Sequence, residues 1–201
     1  MLTLYHNPQS RSTTVHDMLH EIGVPFEIVP IDLKAGEQKS EAFLKINPMG
    51  KIPVLLDGDL IITETPAILT YLADRYPDAG LAPAIDDPDR AAYLRWLFFY
   101  GSCFEPACID KALNRETPSS MGGWGTPDDV LRTLAAALKP GPWLLGERFS
   151  AADVMMGLGV AYMLAFKIIP EWPEFLDYAA RIEARPARQA AKAADGARAA
   201  G

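Results

Sequence analysis

Apolar residues follow two different periods in the first part of the chain. The pattern predicts strands over Leu2–Tyr5 and Phe26–Ile31 and, between them, a helix over Ser10–Ile22. That helix is indicated by apolar residues spaced three or four positions apart, which are Val15, Met18, Leu19 and Ile22. A strand, a helix and a strand in this order favour two parallel strands joined by a right-handed crossover.

The following segment predicts a hairpin and two more helices. Two apolar runs flank Asp57-Gly58, and Asp-Gly between such runs is the strongest short signal of a β-hairpin. Helices are predicted over Glu41–Ile46 and Thr65–Arg75. A βαβ unit, a linking helix and then ββα form a thioredoxin-like arrangement, so we expect a thioredoxin-like domain over residues 1–77.

The second half of the chain predicts helices alone. Residues 78–86 are rich in Pro, Asp, Ala and Gly, which is typical of a linker. A long apolar helix is expected from Pro88 to about Asn114, and residues 194–201 are expected to fray. The expected fold class is therefore α+β with two domains, the second being an all-α helical bundle over residues 87–201.

Composition and charge exclude several classes of protein. The net charge is −7 and no long basic run is present, so we expect no nucleic-acid partner. The most apolar stretch, Met155–Phe166, is shorter than the ~20 residues of a membrane span, so we expect no membrane partner. The N-terminal residues lack the pattern of a signal peptide, and we expect a cytoplasmic protein. Cys103 and Cys108 are the two cysteines, and their spacing on a helix disfavours a disulfide.

Several short motifs occur in one order along the chain. They are Leu4-Tyr5, Asn7–Ser12, Asn47–Pro53, Thr63–Ile68, Trp143–Gly146, Phe149–Asp153 and Arg185–Ala187. In this order and at this spacing, the motifs make the chain resemble the cytosolic glutathione transferases over nearly its whole length. The bacterial members close to the delta, theta and zeta classes, which use a serine, are the most similar.

The resemblance implies an enzyme that uses glutathione as a co-substrate and no metal. Glutathione transferases activate the glutathione thiol for attack on a small electrophilic or hydrophobic substrate, often in detoxification, and are homodimers. Proteins of this fold also serve as non-catalytic ligand-binding or protein-interaction modules, and the fold alone does not distinguish the two. Both functions therefore stay open, and the second substrate and the reaction subtype do not follow from the residues.

Five residues are expected to bind glutathione. Glu64 and Thr65 lie where a strand ends and a helix begins, and the positive end of a helix dipole favours a carboxylate. The resemblance implies a cis Ile52–Pro53 peptide, whose Ile52 backbone pairs with the cysteine of glutathione. Lys51 and, less directly, Gln38 are the candidates for contact with its glycine carboxylate.

Ser10 is the candidate catalytic residue. It follows the first strand, at the start of the first helix, where a hydroxyl can donate to a thiolate. Ser10 matches the family's serine when the chains are aligned on Pro8, and Ser12 is the alternative; either serine could instead only cap the helix. The beta and omega classes have a cysteine in this loop, and its absence here argues against glutaredoxin-like thiol transfer.

The remaining candidates have simpler structural interpretations. His16 and His20 have a spacing that can bind zinc, but no third ligand is evident from the sequence. The aromatic residues around Tyr100, Cys103 and Phe104 could line a second-substrate pocket or belong to a core. Ser150-x-x-Asp153 has the form of a capping box, so we assign Asp153 to stability.

Overall fold

The computed structural model describes residues 1–8 and 10–200, with side chains through Arg198. The strands are β1 (Leu2–His6), β2 (Phe26–Pro30), β3 (Val54–Asp57) and β4 (Leu60–Thr63). The helices are α1 (Ser12–Ile22), α2 (Glu41–Ile46), α3 (Thr65–Arg75), α4 (Arg90–Phe99), α5 (Glu105–Ala112), α6 (Pro127–Ala137), α7 (Ala151–Ala165), α8 (Pro173–Glu183) and α9 (Pro186–Ala200). Two compact units result, Met1–Ala79 together with α9, and Gly80–Arg185.

The first unit is built on a mixed four-stranded sheet with the order β2-β1-β3-β4. β1 is parallel to β2 and antiparallel to β3, and β3 is antiparallel to β4. Leu4 lies opposite both Ile28 and Leu55, at the centre of the sheet. Because side chains alternate along a strand, Leu2, Leu4 and His6 are buried together on one face.

Each face of this sheet has its own apolar cluster. α1 packs against β1, α3 and α9, and its Val15, Met18 and Leu19 are fully buried. On α2, Phe43 packs against Val54, and its ring centroid lies 5.6 Å from that of Tyr5. Adjacent residues of a strand point to opposite faces, so Tyr5 belongs to the Phe43 cluster whereas His6 belongs to the α1 side.

The last helix belongs to the first unit. α9 packs along α1, where Arg188 Nη1 lies 3.2 Å from Asp17 Oδ1. This grouping differs from the domain boundaries expected from the sequence, which placed all of residues 87–201 in the helical domain. The helix also continues to Ala200, through most of the segment that was expected to fray, and Gly201 lies outside the described residues.

The second unit is all-α and packs around α7. The first ten residues of α7 are buried, and the helix contacts α4 and α8. A Cβ at Gly157 would lie 2.2 Å from Ile182 Cγ1, and one at Gly159 would lie 2.3 Å from the Tyr100 ring. These two glycines therefore permit a close approach between helices that a larger residue would prevent.

A buried carboxyl group fixes the start of α7, where the expected capping box is present. Asp153 accepts hydrogen bonds from the Ser150 backbone N–H and hydroxyl at 2.9 and 3.0 Å. It also accepts from the Leu144 N–H at 2.8 Å and from the Tyr178 hydroxyl at 2.9 Å. Burial raises the pKa of Asp153 to about 6, although these hydrogen bonds favour the carboxylate.

The long apolar helix expected from Pro88 is interrupted. α4 begins at Arg90, and a π-helical turn over Tyr100–Phe104 separates it from α5. Pro106 lies in the first turn of α5, where it has no N–H to donate and its ring would collide with the preceding turn of a regular α-helix. A π-helical turn is a common local solution to this misfit.

Candidate functional site

The ends of four strands bring the candidate residues of the first unit to one edge of the sheet. β1 and β2 end at this edge, β3 begins there and β4 ends there. In the register, Tyr5 lies opposite Val54, and Val54 lies opposite Thr63. The segments that join the sheet side by side at this edge are therefore 7–8 with 10–12, 51–53 and 64–65.

Ser10 places a half-buried hydroxyl at the start of α1. Its Oγ donates to the Asn7 carbonyl at 2.8 Å and accepts from the Ser12 N–H at 3.1 Å. The residue before the helix, Arg11, makes no side-chain cap, so Ser10 takes over part of that role. The same hydroxyl is therefore both a cap and a polar group within reach of the surface.

Ser12 occupies the layer beneath Ser10 and is fully buried. Its Oγ lies 2.7 Å from Ser10 Oγ, 2.7 Å from His6 Nδ1 and 3.0 Å from the Asn7 backbone nitrogen. Ser12 Oγ also lies 3.1 Å from the Asn7 carbonyl, and the hydroxyl has one donor and two acceptor sites to share among these partners. Of the two serines, only Ser10 is accessible to a ligand.

The segment before β3 is organised by a buried asparagine. The Ile52–Pro53 peptide is cis, as the resemblance implied, and Lys51 is exposed. Asn47 donates to the Lys51 carbonyl at 2.8 Å and accepts from the Met49 N–H at 3.1 Å. The conformation of the turn is therefore held from inside the protein, and the Lys51 side chain remains in solvent.

The turn at Gly50 packs against the segment that carries Gln38. Gly50 has φ +60°, and a Cβ there would lie 2.7 Å from the Gln38 carbonyl oxygen. Gln38 Nε2 lies 3.5 Å from the Leu33 carbonyl, and its Oε1 is buried with no hydrogen-bond partner among the described residues. Lys39 Nζ donates to the Met49 carbonyl at 3.0 Å, so a second cation stands beside this turn.

Glu64 and Thr65 form the junction between β4 and α3. Glu64 has φ 68° and ψ 118°, its side chain is exposed, and it makes no cap hydrogen bond. Within the described part of the chain, the Thr65 hydroxyl makes no hydrogen bond either. The first turn of α3 thus presents two polar side chains at the positive end of its dipole.

In the second unit, the aromatic residues considered for a substrate pocket are mainly core. Tyr100 and Phe104 are buried, with ring centroids 5.7 Å apart, whereas Cys103 is half-buried. Neither Cys103 nor Cys108 is part of a disulfide in the structure.

Three residues near the sheet edge were not identified from the sequence. Asn47 and Lys39 act through the turn before β3, and the only signal was the Asn-Pro-Met-Gly motif itself. Asp195 contacts His6 from α9 across 189 positions of sequence, a separation at which periodicity carries no information.

Among the described residues, no helix combines the length and the apolar character needed to cross a membrane.

Comparison with known proteins links these features to one family. Residues 1–74 match the family described as glutathione S-transferase, N-terminal domain. A glutathione S-transferase of Hyoscyamus muticus is 30% identical over 189 residues, which cover 84% of this chain and 86% of the relative.

Solved structures extend the similarity to nearly the whole chain. A glutathione transferase from Methylococcus capsulatus has a TM-score of 0.83 and 34% identity, covering 98% of this chain and 99% of that one. A sphingomonad glutathione S-transferase complexed with glutathione has a TM-score of 0.78 and 33% identity, covering 96% and 98%. The expected fold class is confirmed, and the chain belongs to the glutathione S-transferase family.

Proposed function

We propose that this protein is a glutathione transferase, which binds glutathione at the sheet edge of the first unit and activates its thiol. The observation that carries the proposal is the accessible Ser10 hydroxyl at the start of α1, at the same edge as Ile52, Glu64 and Thr65. A tripeptide with two carboxylates, an ammonium group and a thiol matches such a set of groups.

The thiol is activated by stabilising its ionised form. When glutathione binds, the Ser10 hydroxyl turns its single proton from the Asn7 carbonyl to the thiolate. The positive end of the α1 dipole lowers the pKa of the thiol further. The thiol proton leaves to solvent, and the sulfur lone pair forms a bond to the electrophilic atom as the leaving group or a π-electron pair is displaced. This step requires no metal ion and no protein cysteine.

The rest of glutathione is held by backbone and charge. The γ-glutamyl carboxylate meets the first turn of α3 and the Thr65 hydroxyl, while Glu64 pairs with the ammonium group. The backbone of Ile52 pairs with the cysteine of the ligand as an added strand would. Lys51 attracts the glycine carboxylate, and Gln38 contributes to that end if its side chain turns outward.

Isothermal titration of glutathione into the purified protein tests the half-site first. We expect binding in the micromolar to millimolar range, weakened about tenfold in Glu64→Gln because a charge-assisted hydrogen bond is lost. No detectable binding to a folded wild-type protein would contradict the function and would favour a non-catalytic module of the same fold.

Turnover with an activated haloarene tests the role of Ser10. Ser10→Ala should lower kcat about 100-fold, as does the removal of one donor to a developing anion, while affinity for glutathione falls by about fivefold at most. The control is Thr13→Ala, which removes another hydroxyl from the same turn, one that donates to the Pro8 carbonyl at 3.1 Å. Equal activity of Ser10→Ala and Thr13→Ala would exclude the assigned role.

Three wider properties belong to the same proposal. The second substrate is a small electrophilic or hydrophobic molecule, and the reaction serves detoxification in the cytoplasm. The protein acts as a homodimer, and light scattering coupled to size-exclusion chromatography measures its mass directly. A mass of one 22.0 kDa chain at micromolar concentration would overturn the dimer.

A further inference from the structure

A cluster of histidines and one carboxylate lies between α1, β1 and α9. Asp195 Oδ1 of α9 is 3.0 Å from His6 Nε2 and 3.2 Å from His16 Nδ1. His6 and His16 are fully buried, whereas the Asp195 side chain is 13% exposed. The three elements therefore bring three ligand atoms within 4.8 Å of one another, and Asp195 is the most exposed of the three residues.

Burial disfavours the charged form of both imidazoles. It lowers the pKa of His6, and it lowers the pKa of His16 to about 4, although Asp195 opposes both shifts. A neutral imidazole has a single N–H and one free lone pair. A neutral imidazole is the form that binds metal ions.

The outer nitrogen of each ring already has a partner. His6 Nδ1 lies 2.7 Å from Ser12 Oγ, and His16 Nε2 lies 3.2 Å from His20 Nε2. Metal-binding histidines almost always use their second nitrogen in this way, which fixes both tautomer and ring orientation. If the single protons occupy these outer positions, both inner nitrogens present lone pairs towards Asp195.

The inner nitrogen of His16 is the unexplained group. His16 Nδ1 is buried and makes no hydrogen bond to any described residue, despite its 3.2 Å separation from Asp195 Oδ1. A nitrogen lone pair that faces a carboxylate without a hydrogen atom between them is unfavourable. A cation placed between the two atoms removes that conflict.

We propose that His6 Nε2, His16 Nδ1 and Asp195 Oδ1 form a site for a divalent transition-metal ion of the zinc type. Two histidines and one carboxylate are a common donor set for zinc. With bonds of about 2.0–2.1 Å, ligands of a tetrahedral ion are about 3.3 Å apart. The observed 3.0 and 3.2 Å to Asp195 need to open only slightly, whereas the two histidine nitrogens, which lie within 4.8 Å of each other, move closer together around the ion. Water completes the coordination from the side of α9.

The bound ion joins the last helix to the first strand and the first helix. Because the ion binds Nε2 of His6, the proton of this ring is fixed on Nδ1. His6 Nδ1–H then donates a hydrogen bond to the Ser12 hydroxyl, and the Ser12 hydroxyl donates its own proton to Ser10. The ion takes no part in the transfer step. Its role is to hold α9 and to orient the hydrogen bonds beneath the site.

Zinc titration of tag-free, chelator-treated protein tests the proposal. The background is Cys103→Ser/Cys108→Ser, so that thiols do not bind the metal. We expect one zinc ion per chain by calorimetry and a rise in Tm with zinc concentration, as linkage requires. Asp195→Asn, at a position near the surface, should weaken the affinity for zinc at least about 100-fold. Loss of a hydrogen-bond partner of a ligand already costs about 10–100-fold in metal affinity, and Asp195 would be a direct ligand.

Three variants separate this site from adventitious binding. His20→Gln removes an outer partner and should weaken zinc about tenfold. Arg198→Ala removes a cation 3.7 Å from Asp195 Oδ1 and should strengthen zinc binding several-fold. Asp128→Asn, at an exposed acid on α6, should change nothing.

The outcomes that overturn the proposal are specific. They are the absence of stoichiometric zinc binding to the folded protein, or zinc affinity in Asp195→Asn equal to that in Asp128→Asn. Circular dichroism of each variant establishes that it is folded. Glutathione titration of the same preparations, with and without zinc, reports on the proposed transferase site separately.

Discussion

At the scale of single residues, Glu64 shows the clearest conflict between the conformational preference of a residue and its observed backbone angles. Its φ of 68° is one that side chains with a Cβ rarely adopt, and no glycine relieves it. Strained backbone of this kind costs on the order of 1–3 kcal/mol and clusters at ligand sites. The strain directs the end of β4 into α3 while the carboxylate stays exposed.

At position 64, an alanine variant should therefore be less stable than a glycine variant, which reverses the usual order of the two residues. We expect Glu64→Gly to be more stable than Glu64→Ala by about 1 kcal/mol, because only glycine adopts this φ without cost. Urea unfolding of the two variants measures the difference, and both should have weakened glutathione binding. A more stable alanine variant would show that the backbone at this position relaxes.

The single residues that sequence reasoning identified and missed differ in a physical way. The positions of Ser10, Glu64 and Thr65 were predictable, because a helix start and a strand end are marked by local sequence signals. Asn47 was not predictable, because its contribution is a buried side chain that holds a neighbouring backbone turn. The Asn-Pro-Met-Gly motif marks the segment but does not distinguish that role from an exposed asparagine.

At the scale of elements, the boundaries of a helix were predicted correctly where start and stop signals lie in its own sequence. The bounds of α2 and α3 agree with the sequence prediction at both ends. α1 begins two residues later than predicted, because Ser10 acts as a cap. The π-helical turn was missed since it results from fitting Pro106 into a long packed helix, and apolar periodicity does not detect such a fit.

The capping box of α7 makes stability depend on pH. The pKa of Asp153, about 6 in the folded protein, is above its ordinary value near 3.9, so the folded state holds this proton more tightly than the unfolded chain. This contribution is fully present below about pH 4 and is lost as pH rises through about 6, with a size on the order of 3 kcal/mol.

The measurement compares the free energy of unfolding of wild type and Asp153→Asn across this pH range. Relative to the variant, which does not titrate there, the wild type should lose stability between about pH 4 and pH 7. If the free energies of unfolding of the two proteins change with pH in parallel, the raised pKa of Asp153 is excluded. Asp128→Asn, at an exposed position, serves as the matched control.

The attachment of α9 depends on a pair of charges that are mostly shielded from water. The Asp17 side chain is 4% exposed, and Arg188 contacts both of its oxygens at 3.2 and 3.3 Å. Arg188→Ala should destabilise the protein by about 2 kcal/mol, since it weakens the compensation of a buried carboxylate.

An exposed pair provides the control for Arg188. Arg132 and Asp129 form a 3.1 Å contact with both side chains more than 60% exposed, and Arg132→Ala should cost at most about 0.5 kcal/mol. Denaturant unfolding measures both variants. If the two changes cost the same, the Arg188–Asp17 pair does not contribute to holding α9.

At the scale of the whole molecule, the sequence predicted the order of elements but not their grouping. Local periodicity correctly gave a sheet-containing part followed by helices. It could not indicate that the final helix packs on the first, because the contacts of Asp195 and Arg188 span most of the chain.

Glutathione binding should slow hydrogen exchange mainly in the first unit. With glutathione at about 100 times its Kd, the folded state gains about 2.7 kcal/mol. Hydrogen exchange should slow in the segments 7–12, 51–53 and 64–68, which leave the sheet at one edge. An even change over residues 80–185 as well would place the ligand elsewhere.

The return of α9 to the first unit also constrains the order in which the protein forms during synthesis. The ribosome completes all of residues 80–185 before it makes the helix that covers α1. Until then Asp17, His6 and His16 lack their partners from α9, so the nascent first unit exposes a polar gap. The N-terminal unit thus reaches its final packing only after residues 80–185 have been synthesised.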